Sequence, residues 1–244
     1  MRNFRLTIEY DGSDFSGFQK QPDCRTVQGE LEKRLSELLS EPIKVIGAGR
    51  TDAGVHATGQ VVNFRTSRPF SAAQAADIIN AHLPLDLTVR KAEEVDNDFH
   101  ARRLAKSRTY RYTILNTPQR SARLARFVGW IKEPLSSEAM NRAAAMLVGE
   151  HDFASFQAAG SPTKTSFRRL IRGVCKRLGN FVWVVLEADA FLYQMARIIV
   201  ASLCLVGRGE KEAIWVEEIL KGRDRGLAPA PAAPQGLCLV SVKY

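Results

Sequence analysis

The chain has 244 residues, 45% of them hydrophobic, which is enough apolar content for one large domain or two modest ones. Its 35 Lys and Arg residues exceed its 26 Asp and Glu residues, and the formal net charge of +9 favours a nucleic-acid partner or else indicates a basic surface without a dedicated partner. No apolar stretch reaches the roughly 20 residues of a membrane helix, and the N-terminus lacks a signal-peptide pattern, so we expect a soluble, cytoplasmic protein. The four cysteines lack zinc-finger spacing, and we expect their thiols to be reduced.

The first half of the chain alternates between strand and helix periodicity. Thr26 is placed to cap a helix, and Ser71 with Gln74 predicts a capping box for a second helix. The predicted elements are a strand over 4–10, a helix over 26–38, strands over 43–46 and 60–66, a helix over 71–83 and a strand over 87–95.

The second half repeats this order of elements. The predicted elements are a strand from about 106 to 115, a helix over 137–148, a hairpin of strands 168–178 and 181–188 that turns at Gly179-Asn180, helices over 192–206 and 212–221, and a closing strand over 237–244. Each half therefore predicts a β-α-β-β-α-β unit. The predicted fold is α+β, with two ferredoxin-like halves, 1–104 and 105–244, that join into one broad antiparallel sheet with helices on one face.

The segment GAGRTDAGVHA, residues 47–57, is the most informative short stretch. It begins like the G-x-G-x-x-G fingerprint of dinucleotide binding, but its sixth position is Asp52 and the residues after it predict a strand rather than a helix. Dinucleotide binding is therefore disfavoured. The glycines instead allow a short loop to lie close to another surface.

The polar residues of this segment leave several interpretations open. Arg50 and Asp52 point to the same side if the backbone is extended, so they form a loop ion pair or divide between phosphate and base. Asp52 and His56 are four residues apart, but no H-E-x-x-H motif or acidic cluster accompanies them, and no G-x-S-x-G elbow occurs. An aspartate that acts without metal or cofactor is the remaining chemistry.

Several motifs together resemble the bacterial tRNA pseudouridine synthase A family. They extend over the chain from end to end: EYDGSDFSGFQKQ at 9–21, TVQGELEKRL at 26–35, GAGRTDAGVHATGQVVNF at 47–64, DFHARRLAKSRTYRY at 98–112, GEHDFASF at 149–156 and AFLYQMARIIVASL at 190–203. Phe18 departs from the usual Trp of the family, Tyr193 and Gln194 from a segment that often carries His, and Ala201 from a common Gly.

The resemblance implies an isomerase that converts uridine to pseudouridine at positions 38, 39 and 40 in the anticodon stem-loop of tRNA, as a homodimer without cofactor or metal. It implies Asp52, in the first half, as the catalytic nucleophile. In the second half it implies Arg197 as the ion-pair partner of Asp52, and Tyr110 as the residue that stacks on the base and as a candidate general base. Tyr110, together with Arg50, His56 and Gln60, is assigned to substrate binding.

Residue patterns alone leave rival interpretations for these positions. Arg197 lies on an amphipathic helix where a surface arginine is ordinary, and Tyr110 alternates with Tyr112 as a strand core residue would. Rival functions are a catalytically silent RNA-binding protein, a metal-dependent nuclease that uses Asp52 and His56, and a synthase that acts at other uridines of RNA.

Overall fold

The computed structural model describes residues 1–69, 71–160, 163 and 165–244. Its backbone contacts divide the chain into two compact units, one of residues 1–106 with 239–244 and one of residues 107–238. The fold is mixed α+β, and most strand pairs are antiparallel. Among the helices of the described residues, none is long and apolar enough to cross a membrane.

The first unit follows the strand and helix order that the sequence predicts. Its elements are β1 (Arg2–Tyr10), α1 (Val27–Leu39), β2 (Val45–Gly47), β3 (His56–Thr66), α2 (Ala75–Asn80) and β4 (Leu87–Val95). Strand β1 lies between β4 and β3, antiparallel to both, and β2 pairs with β3. The predicted alternation in β1 is confirmed, since Phe4, Leu6, Ile8 and Tyr10 are buried.

Helix α1 confirms the predicted cap at its first turn. The Thr26 side chain accepts a hydrogen bond from the Gly29 amide at 3.2 Å, and the apolar stripe that includes Leu31 and Leu35 is buried. Helix α1 ends at Leu39, and Ser40 after it adopts a left-handed conformation with φ of 52°. Local sequence therefore determines both the start and the buried face of this helix.

The predicted capping box of α2 is wrong. The helix begins at Ala75, and Gln74 occupies the cap position without a side-chain cap bond. Backbone turns precede the helix, because the amides of Gln74 and Ala75 donate to the carbonyls of Ser71 and Ala72. Asn80, the last residue of the helix, forms two hydrogen bonds with the backbone of Val89 in β4. Its Nδ2 donates to the Val89 carbonyl, and its Oδ1 accepts the Val89 amide hydrogen.

The second unit differs from the first in the number and order of its strands. Its elements are β5 (Ser107–Asn116), β6 (Gly129–Ile131), α3 (Ser137–Met146), β7 (Gly149–Asp152), β8 (Phe167–Leu178), β9 (Phe181–Ala188), α4 (Met195–Gly207) and α5 (Trp215–Gly222). The order β5-β9-β8-β7 is antiparallel, and β6 adds to β5 in parallel. The hairpin at Gly179-Asn180 is confirmed, with φ of 56° at Gly179. The sequence did not predict β6 or β7, which are three and four residues long.

The last strand, β10 (Leu237–Lys243), crosses the boundary between the units along the chain. From Leu239 onward it belongs to the first unit, where it neighbours β3, and the Lys106 amide donates to the Lys243 carbonyl at 2.8 Å. The Tyr244 hydroxyl donates to the Ala101 carbonyl at 2.9 Å. The division predicted at residue 104 placed this strand in the second half. In the structure, backbone contacts between segments distant in sequence, which local patterns do not encode, group residues 239–244 with the first unit.

Candidate active site

Residues 47–57, from the last residue of β2 to the first two residues of β3, contain a tight turn, and we call this segment the aspartate loop. The Val55 amide donates to the Asp52 carbonyl at 3.1 Å, and Gly54 adopts a φ of 77°. This is a β-turn with Asp52 at its first position and a glycine where a positive φ is required. Strand β3 follows at His56, so no helix follows the glycines, which removes the structural context of a dinucleotide fingerprint.

A second loop, residues 11–26 between β1 and α1, packs directly on the aspartate loop. The Phe18 amide donates to the Thr51 carbonyl at 3.0 Å. Gly17 has a φ of 88°, and a Cβ there would lie 2.9 Å from that carbonyl oxygen. A Cβ on Gly12 would lie 2.0 Å from the Val55 carbonyl oxygen. The two loops therefore meet backbone to backbone, which only glycine at these two positions allows.

Buried hydrogen bonds connect the aspartate loop to the end of β1 and to the residues that follow it. The Tyr10 hydroxyl and Thr51 Oγ1 are hydrogen bonded at 2.8 Å in a buried position. The His56 ring is 6% exposed, and its Nδ1 accepts the Gly12 amide hydrogen at 3.0 Å. Asp11 Oδ1 also lies 3.2 Å from this nitrogen. The hydrogen bond at Nδ1 therefore connects His56 to the loop of residues 11–26.

Gln60, on β3, reaches back to the aspartate loop. Its side chain is fully buried, and Nε2 donates to the Gly49 carbonyl at 2.9 Å. Its Oε1 has no hydrogen-bond partner within the described part of the chain. Gln60 thus holds the backbone next to Arg50, whose own side chain is exposed. Sequence reasoning assigned Gln60 to substrate binding, and its contact in the structure is with the loop.

A cavity of about 270 Å³ opens beside the aspartate loop within the first unit. It is lined by Phe18, Gln19, Gln28, Val45, Ile46, Gly47, Arg50, His100 and Arg102. The Phe18 ring packs against the backbone of Gly47, where a Cβ would lie 2.4 Å from the ring. The pKa of Arg102 is lowered, mainly by burial and secondly by the nearby charge of Arg50. The two arginines therefore place like charges close together at this cavity.

Tyr110 lies on β5 in the second unit, opposite Leu186 of β9. The residue is 7% exposed, and its ring meets the ring of Phe191 edge to face, with centroids 4.9 Å apart. Tyr110 is therefore an aromatic side chain in a fixed orientation, as both the core interpretation and the base-stacking interpretation require.

Arg197 occupies the first turn of α4, also in the second unit. Its Nε donates to the Ala232 carbonyl at 2.7 Å, and the Ala232 amide donates to the Arg197 carbonyl at 3.1 Å. The predicted apolar face of the helix is confirmed, because Ile198 and Ile199 are fully buried. Arg197 itself is half-buried, which distinguishes it from a fully solvated surface arginine.

Sequence reasoning missed the residues that support the aspartate loop. Tyr10, Gly12, Gly17 and Thr51 carry no chemistry of their own, but their contacts determine where Asp52 lies. The two glycines spaced five apart in DGSDFSGF were the available signal, since glycine spacing in a loop indicates close backbone approach.

Among the described residues, no group of three or more His, Cys, Asp or Glu side chains could hold a metal ion.

Comparison with known proteins decides the family. The family model described as tRNA pseudouridine synthase matches residues 6–102 and 143–244. The chain belongs to the tRNA pseudouridine synthase family. The matched ranges include Asp52 and Arg197, whereas Tyr110 lies between them.

Curated relatives agree with this family. Proteins named tRNA pseudouridine synthase A from Enterobacter sp. (strain 638) and Shigella boydii serotype 4 are each 47% identical over 239 residues, which cover 98% of this chain and 88% of the relative. The protein of that name from Cronobacter sakazakii is 46% identical with the same coverage. Members of the tRNA pseudouridine synthase family are isomerases, and this chain is therefore an enzyme of that class.

Solved structures were compared as well. A chain in the crystal structure of a Cbf5-Nop10-Gar1 complex aligns with 83% of this chain and 54% of its own length, at 12% identity and a TM-score of 0.35. A TM-score this low supports no argument about fold or function, so the family assignment comes from the sequence matches.

Proposed function

We propose that this enzyme converts uridine to pseudouridine at positions 38, 39 and 40 in the anticodon stem-loop of tRNA, with Asp52 as its nucleophile and without a cofactor. The observation that carries the proposal is the placement of Asp52 at the head of a glycine turn that a second loop and β1 hold in position. A reacting carboxylate requires such preorganisation, since a poorly placed catalytic group loses most of its effect. The names of the curated relatives support tRNA as the substrate.

The chemistry suits a single carboxylate. The reaction breaks the N1–C1′ glycosidic bond, turns the uracil and forms a C5–C1′ bond, while C5 loses a proton and N1 gains one, so no atom is gained or lost. A carboxylate can attack carbon and leave again, as carboxylates do in glycosyl transfer. Attack by Asp52 at C1′ gives a glycosyl ester, whereas attack on the uracil ring gives a base adduct, and mass spectrometry of a trapped complex separates the two.

The remaining roles follow from what the reaction needs. A base within a stem must leave the stack to react, and Tyr110 offers an aromatic face for it. An ionised carboxylate in an enclosed site needs a cation, and we propose Arg197 as the partner of Asp52. Arg50 is exposed on the aspartate loop and binds substrate phosphate or base. His56 and Gln60 contribute to substrate binding through the shape of the loop that they hold.

The finer architecture belongs to the same proposal. The element order of the first unit and its strand order β4-β1-β3, with β2 on β3, support a ferredoxin-like unit, and we propose a second one in residues 105–244. We further propose that the enzyme acts as a homodimer in the cytoplasm, where its tRNA substrate is found. Size-exclusion chromatography with light scattering tests the dimer.

One assay tests the proposed function against its rivals. The protein is incubated with unmodified tRNA in the presence of EDTA, and the products are analysed for pseudouridine by position and for strand cleavage. Pseudouridine at positions 38–40 is the expected result. Cleavage would indicate a nuclease, binding without product a silent RNA-binding protein, and pseudouridine elsewhere a synthase with other targets.

A further inference from the structure

A proline-rich stretch of the second unit, residues 228–236, lies between α5 and β10, and we call it the proline segment. Its sequence is APAPAAPQG, and each of its three prolines fixes its own φ and restricts the residue before it to extended conformations. Ala228 and Ala233 each precede a proline, and their ψ angles of 149° and 142° are close to that of polyproline II. Backbone of this kind forms no internal hydrogen bonds, so its carbonyls bond to donors from other elements.

Two side chains donate to adjacent carbonyls of the proline segment. On α4, Arg197 Nε donates to the Ala232 carbonyl at 2.7 Å, and the Ala232 amide donates to the Arg197 carbonyl at 3.1 Å. On β5, the Tyr112 hydroxyl donates to the Ala233 carbonyl at 2.9 Å. Because a planar peptide joins Ala232 to Ala233, the bond from Tyr112 restricts where the Ala232 carbonyl lies.

The Tyr112 ring is packed so closely that its hydroxyl has a fixed position. The residue is 3% exposed. A Cβ on Gly129 would overlap the hydroxyl oxygen, and a Cβ on Gly236 would overlap Cζ of the ring, so two glycine backbones pack directly on this end of the side chain. Burial, and secondly Cys204, raise the pKa of Tyr112, although the charge of Arg197 lowers it. The hydroxyl is therefore protonated at neutral pH and remains a donor.

The bond at Nε determines the orientation of the Arg197 guanidinium. This group is planar, and two parallel N–H donors of the plane form the bidentate contact with a carboxylate. A carbonyl that accepts from Nε selects one rotation of the plane, and the terminal nitrogens Nη1 and Nη2 turn with it. The direction of the guanidinium fork thus depends on the Ala232 carbonyl, which the bond from Tyr112 restricts.

We propose that Tyr112 is a positioning residue for the reaction, which orients the Arg197 guanidinium through the proline segment for a bidentate contact with the Asp52 carboxylate. The inference rests on the proposed partnership of Arg197 with Asp52 and deepens it by assigning the residue that orients the cation. Tyr112 acts through the Ala233 carbonyl and not on the substrate. Its contribution is therefore to the rate of the chemical step and not to tRNA affinity.

Tyr112→Phe removes the hydroxyl and keeps the ring that packs on the two glycines. We expect the single-turnover rate of pseudouridine formation to fall by about tenfold with tRNA affinity unchanged, since even a displacement of roughly 1 Å can cost about a hundredfold. Tyr244→Phe is the matched control, because the Tyr244 hydroxyl also donates to a backbone carbonyl at 2.9 Å, that of Ala101. Both variants should lose a similar amount of thermal stability. Equal rate losses in both would overturn the proposal.

A second background shows whether the rate loss acts through Arg197. Lysine has neither an Nε donor nor a planar fork to orient, so Tyr112→Phe is expected to leave the residual rate of Arg197→Lys unchanged. A tenfold loss in both backgrounds would overturn the proposal, because Tyr112 would then act independently of the guanidinium.

The Nε–H resonance of Arg197 gives an NMR measurement that does not depend on activity. It is assigned by its disappearance in Arg197→Lys. Tyr112→Phe is expected to shift this resonance and to speed the exchange of its hydrogen with water, whereas Tyr244→Phe should do neither. An unchanged resonance in Tyr112→Phe overturns the proposal, even where Arg197→Lys has too little activity to measure.

The proposed function is monitored in parallel with the wild type and with Tyr244→Phe. Absence of pseudouridine at positions 38–40 in both would contradict the proposed function itself. Product in both, with a Tyr112→Phe rate equal to that of the wild type, would contradict the positioning role alone.

Discussion

Gly17 lies so close to Thr51 that a Cβ on the glycine would come within 2.9 Å of the Thr51 carbonyl oxygen. Gly17 also has a φ of 88°, so Gly17→Ala adds a steric overlap to an unfavourable backbone conformation. We expect it to lower the free energy of unfolding by about 2–4 kcal/mol. Gly209 has a φ of 75° and no heavy atom within 4 Å of a Cβ, so Gly209→Ala measures the backbone cost alone. Equal losses in urea unfolding would show that the loop contact with Thr51 contributes nothing.

Asp52→Asn is expected to abolish pseudouridine formation without loss of the fold. Asparagine is favoured at the first position of a β-turn as aspartate is, so the turn closed by the Val55 amide should persist. Turnover should fall by about a thousandfold or more, because the amide is a poor nucleophile. Single-turnover assays and thermal unfolding are the measurements, with the exposed Asp23→Asn as control. Near wild-type turnover in Asp52→Asn would exclude Asp52 as the nucleophile.

The proposed partnership of Arg197 with Asp52 predicts non-additive effects. Arg197→Ala removes a cation and also the hydrogen bond from Nε to the Ala232 carbonyl, and only the first loss should depend on Asp52. In a double-mutant cycle with Asp52→Asn, we expect a coupling of about 1–3 kcal/mol in unfolding free energy. Arg197→Lys should restore part of the activity, since it keeps the charge without the guanidinium fork. Strict additivity, with normal turnover in Arg197→Ala, would leave Arg197 with its Ala232 contact as its only role.

Gln60 allows a comparison between two substitutions at one buried position. Gln60→Leu removes the donor to the Gly49 carbonyl but also the unpartnered Oε1, so it should cost about 1 kcal/mol in stability. Gln60→Glu places a buried carboxylate against that carbonyl at neutral pH and should cost several kcal/mol. The penalty of Gln60→Glu should shrink in acid, because a protonated glutamate can donate to Gly49. Urea unfolding at pH 7 and pH 5 checks this, and equal stability of the two variants at pH 7 would contradict it.

Glu41 predicts a pH dependence of stability. Hydrogen bonds from the side chains of Ser67 and Thr66 hold the pKa of Glu41 below its ordinary value of 4.5. A carboxyl whose folded pKa is lowered contributes stability above its unfolded pKa, and this contribution is lost as the pH falls through the folded pKa. The wild type should therefore exceed Glu41→Gln in thermal stability at pH 6, and the difference should narrow below about pH 4.5. A difference that stays constant from pH 6 to pH 3 would contradict the assignment.

Local patterns predicted the long elements of this fold but not the contacts that form the candidate site. Strand β4 follows its predicted bounds, and α1 begins after the predicted cap at Thr26, because alternation and capping are encoded within a few residues. Strand β6 and the true start of α2 were missed, since backbone contacts distant in sequence or turns without a strong signature determine them. The motif around Asp52 indicated the chemistry, whereas the bond between Tyr10 and Thr51 required the three-dimensional structure.

The position of β10 has a consequence for biosynthesis. Residues 239–244 complete the first unit, yet the ribosome makes them only after the whole of residues 107–238. Until then, part of the β3 edge and the Ala101 carbonyl lack the partners that β10 and Tyr244 supply. A fragment of residues 1–106 is thus an incomplete module. A chimaera that exchanges the first unit between relatives has to carry residues 239–244 with it.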